Sequence, residues 1–458
     1  MVQIRTVNPA TDETISEYDE IDQQAAFSKI RAAHTAFLNW KKKSHEERVP
    51  FLLDLAKALR DHADELADLM TKETGKLLRD GKTEVELCAQ IFEYTAEQGP
   101  NVLAQEDRKH SGGEKDGYVA YCPIGVIYSI QPWNFPVYQP VRVLAANLMA
   151  GNSVILKHAA ICTGSALMLK DICTNARLPK GLFDVLIIDH DLSNEVIAHE
   201  LVRGVTMTGS DGAGRNIGQE AAKHLKKSVL ELGSNDAYLV LEDADIDLAV
   251  KTSVQGRLYN NGQTCVSAKR FVVTEAVYDT FVSAFVEQMK AIQMGDPTHS
   301  DTQLGPLSSS EQFDTVKQQV KESTDAGAEL LCGGNPNDRT GQYYPATVLG
   351  NCKPGSPAYD DEIFGPVAAV IKAKDDNDAM RIANDSRYGL GGGIFCRDEK
   401  KAAKLALEHF DTGMVRINSF GAADPNMPFG GVKDSGFGRE HGGFGMKEFV
   451  NVKAVYLA

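Results

Sequence analysis

The sequence predicts an α/β protein in which two parallel-sheet units follow a long helical segment. Three observations carry this: the chain's length, short apolar runs alternating with helical periodicity, and a restart of that alternation after Leu232. At 458 residues the chain exceeds what one compact core holds, so two or three domains are expected. Strand-like runs alternating with amphipathic helices suit a parallel sheet covered on both faces.

Taken in order, residues from about 23 to 98 carry helical periodicity, as in VPFLLDLAKALRDHADELADLMTKE, where Leu and Ala recur at three- and four-residue spacing. The polar stretch EDRKHSGGEKDG reads as a turn, with hairpin strands expected around residues 101–105 and 118–122. From Pro123 the runs GVIYSI, NSVILK, FDVLII and GVTMTG read as strands, with the helices PVRVLAANLMA and TGSALMLKDICTNA between them. The second series opens with DAYLVL, the helix DIDLAVKTSVQGRLYN and the strand KRFVVT. It continues through VYDTFVSAFVEQMKAI to GPVAAVIKA, DAMRIAND and GGGIFC. The closing EFVNVKAVYLA reads as a strand with no partner near in sequence, which either pairs with another subunit or forms a sheet edge. No internal repeat or low-complexity linker is visible.

Composition excludes several classes of function. A net charge of −15 disfavours nucleic acid and anionic membranes, which need clustered Lys and Arg. The N-terminal segment has no apolar core of a secretory signal, and no apolar run reaches the roughly 18 residues of a membrane span. The eight cysteines form no CxxC pair, and no His cluster has zinc-ligand spacing. A cytoplasmic protein with free thiols and no metal is therefore expected.

Five places carry candidate chemistry. Cys265 ends the polar turn NNGQTC, and Glu231 lies upstream in ELGSN. A thiolate attacks carbonyl carbon, and a carboxylate can activate the water that hydrolyses the resulting thioester. The plainer alternative is an ordinary buried cysteine. Gly209-Ser210-Asp211-Gly212-Ala213-Gly214 follows a strand and opens a helix, as a phosphate-binding turn does, although strand-to-helix turns use glycine anyway. Lys157 ends the run SVIL, at the strand end where parallel sheets bind ligands, or is simply solvated there. Trp133 and Asn134 lie between Pro132 and Pro136, which would hold the Asn amide as an oxyanion donor or shape a structural turn. No GxGxxG follows a strand. The span from Gly75 to Gly81-Lys82-Thr83 is one residue too long for a P-loop and sits in a helical context.

The motifs PWNFP, VILK, MTGS, ELGSN, NNGQTC, EIFGP and PFGGVKDSGFGRE occur in one order, and together they resemble the NAD(P)-dependent aldehyde dehydrogenase superfamily from the opening NPAT to the terminal strand. The resemblance implies a Rossmann-type NAD(P)-binding domain (residues 1–104 and 122–232) and an α/β catalytic domain (233–445). It adds a small β oligomerisation flap (105–121 and 446–458), with assembly as a homodimer or homotetramer. It makes Cys265 the nucleophile, Glu231 the general base and Asn134 the oxyanion donor. It assigns Trp133 and Lys157 to the adenosine ribose, Gly209 and Ser210 to the pyrophosphate, and Glu362 and Phe364 to the nicotinamide ribose. The LKHA stretch resembles short bacterial succinate-semialdehyde dehydrogenases, which implies that Arg142 and Phe429 meet a small aldehyde with a distal carboxylate.

Three departures qualify the resemblance. Ala160 stands where many NAD-specific members carry a ribose-binding Glu, so NADP should be accepted, with Lys157 and His158 available to its 2′-phosphate. Tyr259 replaces a second arginine expected six residues before the nucleophile. Ser267 replaces a neighbouring cysteine, so no disulfide switch is expected there. A broad-specificity enzyme for another small aldehyde and a non-catalytic relative are the alternatives. An enzyme passing the thioester to coenzyme A would have no use for Glu231.

Overall fold

A computed structural model of the protein describes residues 3–110, 116–336 and 339–457. Part of the turn expected in EDRKHSGGEKDG, residues 111–115, lies outside them.

The N-terminal helical segment divides into Gln23–Trp40, His45–Asp61, Ala63–Thr74 and Leu78–Val102. Local chemistry sets the breaks. Asp22 caps the first helix, Ser44 and Glu47 form a reciprocal capping box at the second, and Gly75 ends the third in the left-handed region. The fourth helix runs through Pro100 to Val102, so residues 101–105 are not the strand their pattern suggested. The helix persists because Gly99 lets Met149 pack against it and Leu103, just beyond its end, is 2 % exposed. The strand falls instead at Glu106–Arg108, antiparallel to Gly117–Pro123.

The first sheet has six strands in the order Gly436–Phe437, Lys227–Glu231, Val202–Thr208, Val126–Gln131, Ser153–His158 and Phe183–Val185. All pairs are parallel except the first. Lys227–Glu231 is a strand that the sequence pattern does not predict: Glu231 is its last residue, and its Val229 and Leu230 are buried. The second sheet has seven strands in the order Glu329–Cys332, Thr347–Gly350, Val367–Ala373, Arg270–Thr274, Ala237–Val240, Gly392–Phe395 and Arg416–Ile417. It too is parallel apart from its first pair. Apolar clusters cover both of its faces, one around Leu239, Val272 and Ile371, the other around Tyr238, Phe271 and Val370.

The terminal strand Val450–Val455 pairs antiparallel with Gly117–Pro123 of the same chain, at the edge of a three-stranded sheet. Within its own chain the terminal strand is thus a sheet edge. No helix among the described residues is long and apolar enough to cross a membrane. The C-terminal ends of Val126–Gln131, Val202–Thr208 and Lys227–Glu231 run directly into Pro132–Asn134, Gly209–Ser210 and Leu232–Gly233. All of these line one cleft, at the strand ends where open parallel sheets bind ligands.

Candidate functional site

The cleft holds about 240 Å³ and is lined by residues from both sheets' connections, among them Cys265 and Asn134. Trp133, Gly209, Ser210, Glu362 and Phe364 line it as well. Seven residues singled out from sequence thus converge on one space.

The loop before Cys265 is held rigidly. After the helix Ile246–Leu258, Asn260 and Asn261 adopt left-handed backbone (φ 54° and 57°), which asparagine tolerates best among residues with side chains. Gly262 has φ 77°, and a Cβ there would lie 2.4 Å from the Gly365 carbonyl. Asn260 Nδ2 donates to the carbonyls of Asn134 (2.8 Å) and Gln263 (3.1 Å). Asn261 Nδ2 donates to those of Gly75 and Pro306, and Gln263 Oε1 accepts from Ser308 N–H. The buried Arg257 donates to the Gly262 carbonyl. Every residue of the turn therefore has an assigned partner before the chain reaches the thiol.

Cys265 is partly accessible and packs with Val266, Leu390 and Phe429. Burial pushes its thiol up to about 12; Lys269 and Arg142 oppose the rise, while Glu362 and Asp236 add to it. The resting group is a neutral thiol and becomes a nucleophile only on losing its proton. All eight cysteines are free, and apart from Cys122 and Cys265 they are buried.

Asn134 is 4 % exposed, and its Nδ2 donates to the Gln263 carbonyl at 3.2 Å. Its loop is anchored from three sides. Glu84 Oε1 accepts from Val137 and Tyr138 N–H (2.8 and 2.9 Å), His158 Nε2 donates to the Pro136 carbonyl (2.8 Å), and Asn260 holds the Asn134 carbonyl. The amide is thus presented to the cleft by backbone whose polar groups are already satisfied.

Glu231 is 2 % exposed, and neither carboxyl oxygen has a hydrogen-bond partner. A Cβ on Gly430 would come within 2.8 Å of its Oε1, so only glycine leaves this carboxyl its space. Burial raises Glu231 well above the ordinary carboxyl range; Arg142 opposes this and Glu440 reinforces it. The side chain stands beside the cleft rather than in its lining, whereas the next two residues, Leu232 and Gly233, do line it.

Arg142 also stands beside the cleft. It is buried on the helix Tyr138–Ala150, which excludes a helix-surface arginine. Its Nη2 donates to Thr208 Oγ1 (2.6 Å), and its guanidinium lies over the rings of Phe429 (5.3 Å) and Tyr138 (5.4 Å). Nε lies 3.7 Å from Glu440 Oε2 and makes no hydrogen bond, which leaves one buried donor free. Thr208 lines the cleft, and Phe429 belongs to the apolar cluster around Cys265.

On the other side of Cys265, Ser210 caps the helix Asp211–Lys223, accepting from Ala213 N–H. The helix N-terminus and Gly209 offer amides and a positive dipole end to an anionic ligand. Trp133 and Phe364 meet edge to face at 5.6 Å. Glu362 is 18 % exposed and paired with Lys269 at 3.1 Å; burial raises its carboxyl, and Lys269 opposes the rise. A helix N-terminus, a glycine turn and a cleft-facing carboxylate fit a phosphate-rich cofactor bearing sugar hydroxyls.

His158 diverges from the expectation for it. Lys157 lines a separate small cavity with Ile4, Leu186 and Ile188 rather than the cleft. His158 turns inward: it holds the Pro136 carbonyl and accepts from Ala159 N–H, and burial pushes it down to about 4, leaving it neutral. Its two ring nitrogens are thus already engaged and it is not available to a 2′-phosphate. Sequence reasoning missed Gln312, which lines the cleft and donates to the Phe364 carbonyl, as well as Lys269 and Glu440. Gln312 and Lys269 lay in none of the quoted motifs, and Glu440 closes PFGGVKDSGFGRE, in which only Phe429 had been given a role.

Residues 2–455 match the model of the aldehyde dehydrogenase family. A protein of Deinococcus radiodurans named succinate-semialdehyde dehydrogenase, NADP(+), is 42 % identical over 98 % of this chain and 94 % of its own length. One of Mycobacterium bovis, named succinate-semialdehyde dehydrogenase 1, NADP(+), is 40 % identical over 99 % of this chain and 100 % of its own. Among solved structures, succinic semialdehyde dehydrogenase from Streptococcus pyogenes, in complex with NADP+, superposes with a TM-score of 0.96. It is 39 % identical over 99 % of both chains.

Proposed function

Because the chain belongs to the aldehyde dehydrogenase family, we propose that it oxidises a small aldehyde with a distal carboxylate, succinate semialdehyde to succinate, with NADP+ as the accepted oxidant. The observation that carries this reading is that Cys265, Asn134, Glu362 and the Gly209–Ser210 turn line the same cleft.

In this reading Cys265 Sγ loses its proton and adds to the aldehyde carbon. Asn134 Nδ2 and the Cys265 backbone N–H donate to the oxyanion of the thiohemiacetal, where charge develops. NADP+, when bound, supplies the hydride acceptor. Collapse of the oxyanion then leaves a thioester on Cys265. Glu231 takes a proton from water as that water attacks the thioester carbon, and release of the carboxylate restores the thiol. The ionised form of Glu231 is required for this step. Its two oxygens, free of other partners, can accept that proton.

Gly209 and Ser210 hold the pyrophosphate, Glu362 and Phe364 the nicotinamide ribose, and Trp133 and Lys157 the adenosine ribose. No carboxylate stands at Ala160 to repel a 2′-phosphate, which supports use of NADP+, and the relatives named above are NADP(+) enzymes. Arg142, with its free Nε donor, exchanges its long contact to Glu440 for the substrate carboxylate, and Phe429 packs on the chain between. Residues 1–104 with 122–232 and residues 233–445 form the cofactor and catalytic domains. Segments 105–121 and 446–458 join copies into a cytoplasmic homodimer or homotetramer.

The test is a kcat/KM panel of aldehydes with and without a terminal carboxylate, run with NADP+ and NAD+ and followed by absorbance of the reduced nicotinamide. Succinate semialdehyde with NADP+ should be the most efficient pair. Absence of reduction with every aldehyde overturns the enzyme reading, and equal efficiency with butanal overturns the substrate.

A further inference from the structure

Lys269 joins the two functional halves of the cleft, although no motif singled it out. It opens the central strand Arg270–Thr274, with its N–H on the Asp236 carbonyl (3.1 Å) and its carbonyl accepting from Ala369 N–H (3.0 Å), so its backbone is fixed in the sheet. Its side chain is 3 % exposed. The ammonium donates to the carbonyls of Thr264 (3.1 Å) and Cys265, and lies 3.1 Å from Glu362 Oε1. The ammonium thus hydrogen-bonds the two carbonyls that flank the nucleophile's Cα and forms an ion pair with the cleft carboxylate. Desolvating such a charge is costly, and a structural strand start needs no ammonium.

We propose that Lys269 is a positioning residue that couples occupancy of Glu362 to thiolate formation at Cys265. The inference rests on the reading of Cys265 as nucleophile and Glu362 as a ribose ligand. With the cleft empty, Glu362 neutralises much of the ammonium's field. When sugar hydroxyls donate to Glu362, its negative charge is shared with them and the ammonium acts more fully on the sulfur a few bonds away. An opposite charge at such range favours the charged form of a group. The other groups around the thiol are Arg142 and Tyr138 from the helix Tyr138–Ala150, and Asp236 at the start of Ala237–Val240. Asp236 leaves Oδ2 without a hydrogen bond, and the buried Arg257 faces both Asp236 and Glu362. Of these, Lys269 alone touches both the Cys265 peptide and Glu362.

The experiment is the pH profile of Cys265 alkylation by iodoacetamide, read by mass spectrometry of the Cys265 peptide, with and without NADPH. NADPH is chosen because its uncharged nicotinamide adds no cation beside the sulfur. In the wild type, NADPH should lower the midpoint by about one pH unit, a tenfold gain in alkylation rate below it. In Lys269→Met the midpoint should rise and the NADPH response disappear, and Lys269→Arg should retain the response. Glu362→Gln should lower the midpoint without nucleotide, which keeps the inference testable where Lys269→Met does not fold.

A Lys269→Met profile that matches wild type in both states, or a Glu362→Gln midpoint that does not move, overturns the coupling. Slower alkylation at an unchanged midpoint makes Lys269 structural and overturns it equally. Turnover that survives complete alkylation of Cys265 would instead remove the functional reading itself.

Discussion

Asn134→Ala separates transition-state binding from structure. The substitution removes an amide whose Nδ2 donates to the Gln263 carbonyl at 3.2 Å and whose Oδ1 accepts from Gln139 at 3.4 Å, both long bonds. The Gln263 carbonyl keeps its second donor, Asn260 Nδ2 at 3.1 Å. The loop keeps its anchors to Glu84, His158 and Asn260. The loss in stability is therefore that of one net hydrogen bond, about 1 kcal/mol, which is a shift of no more than about 3 °C in a chain this large. Loss of an oxyanion donor costs about 2.7–4 kcal/mol of transition-state stabilisation, roughly 100- to 1,000-fold in kcat. The assay pairs kcat and KM for succinate semialdehyde with thermal unfolding and with NADP+ binding, read by quenching of Trp133, which lines the cleft. A kcat within about threefold of wild type would refute the oxyanion role, since no effect that small matches a lost donor. Lost cofactor binding or a collapsed melting transition would make Asn134 structural.

Further outcomes are expected of neighbouring residues. Glu231→Gln should keep the fold, because neither carboxyl oxygen has a partner to lose. It should keep a stoichiometric burst of NADPH while steady turnover falls about 100-fold; loss of the burst would place Glu231 before hydride transfer. Burial holds the Glu231 carboxyl well above its ordinary value, so it is neutral at low pH and its basic form appears only as pH rises through that raised value. Steady turnover should therefore climb with pH, and a limb that persists unchanged in Glu231→Gln would assign it to another group. Arg142→Gln removes the cation, and should raise KM for succinate semialdehyde at least about tenfold relative to butanal; equal shifts would make Arg142 structural. Glu84→Gln breaks a fully buried pair with Lys76 (2.7 Å, side chains 1 % exposed) that also holds Val137 and Tyr138 N–H. Denaturant unfolding should show a loss of about 3–5 kcal/mol, and a loss below about 1 kcal/mol would mean that Lys76 finds another partner.

What the sequence revealed follows the range of the interactions involved. Cys265 was legible because its turn is written locally: two asparagines and a glycine take left-handed backbone in succession. The alternation of GVIYSI, NSVILK and GVTMTG with helices is likewise a short-range pattern. Lys227–Glu231 was hidden, because a short strand entered from the polar stretch KHLKK shows only Val229 and Leu230 as apolar signal. The partner of the terminal strand could not be read, since pairing with Gly117–Pro123 spans most of the chain. Lys157 and His158 are adjacent and border the same side cavity, yet the His158 ring is committed to the Pro136 carbonyl, a contact that only the tertiary structure displays. Lys269 and Glu440 acquire meaning only from tertiary contacts with Glu362 and Arg142.

The covalent role of Cys265 can be measured directly. Glu231→Gln enzyme mixed with NADP+ and succinate semialdehyde, quenched in acid after a single turnover and digested, should carry a succinyl adduct on the peptide containing Cys265, in proportion to the NADPH formed. NADPH formed without any adduct, or with the adduct on another cysteine, would contradict catalysis through a Cys265 thioester.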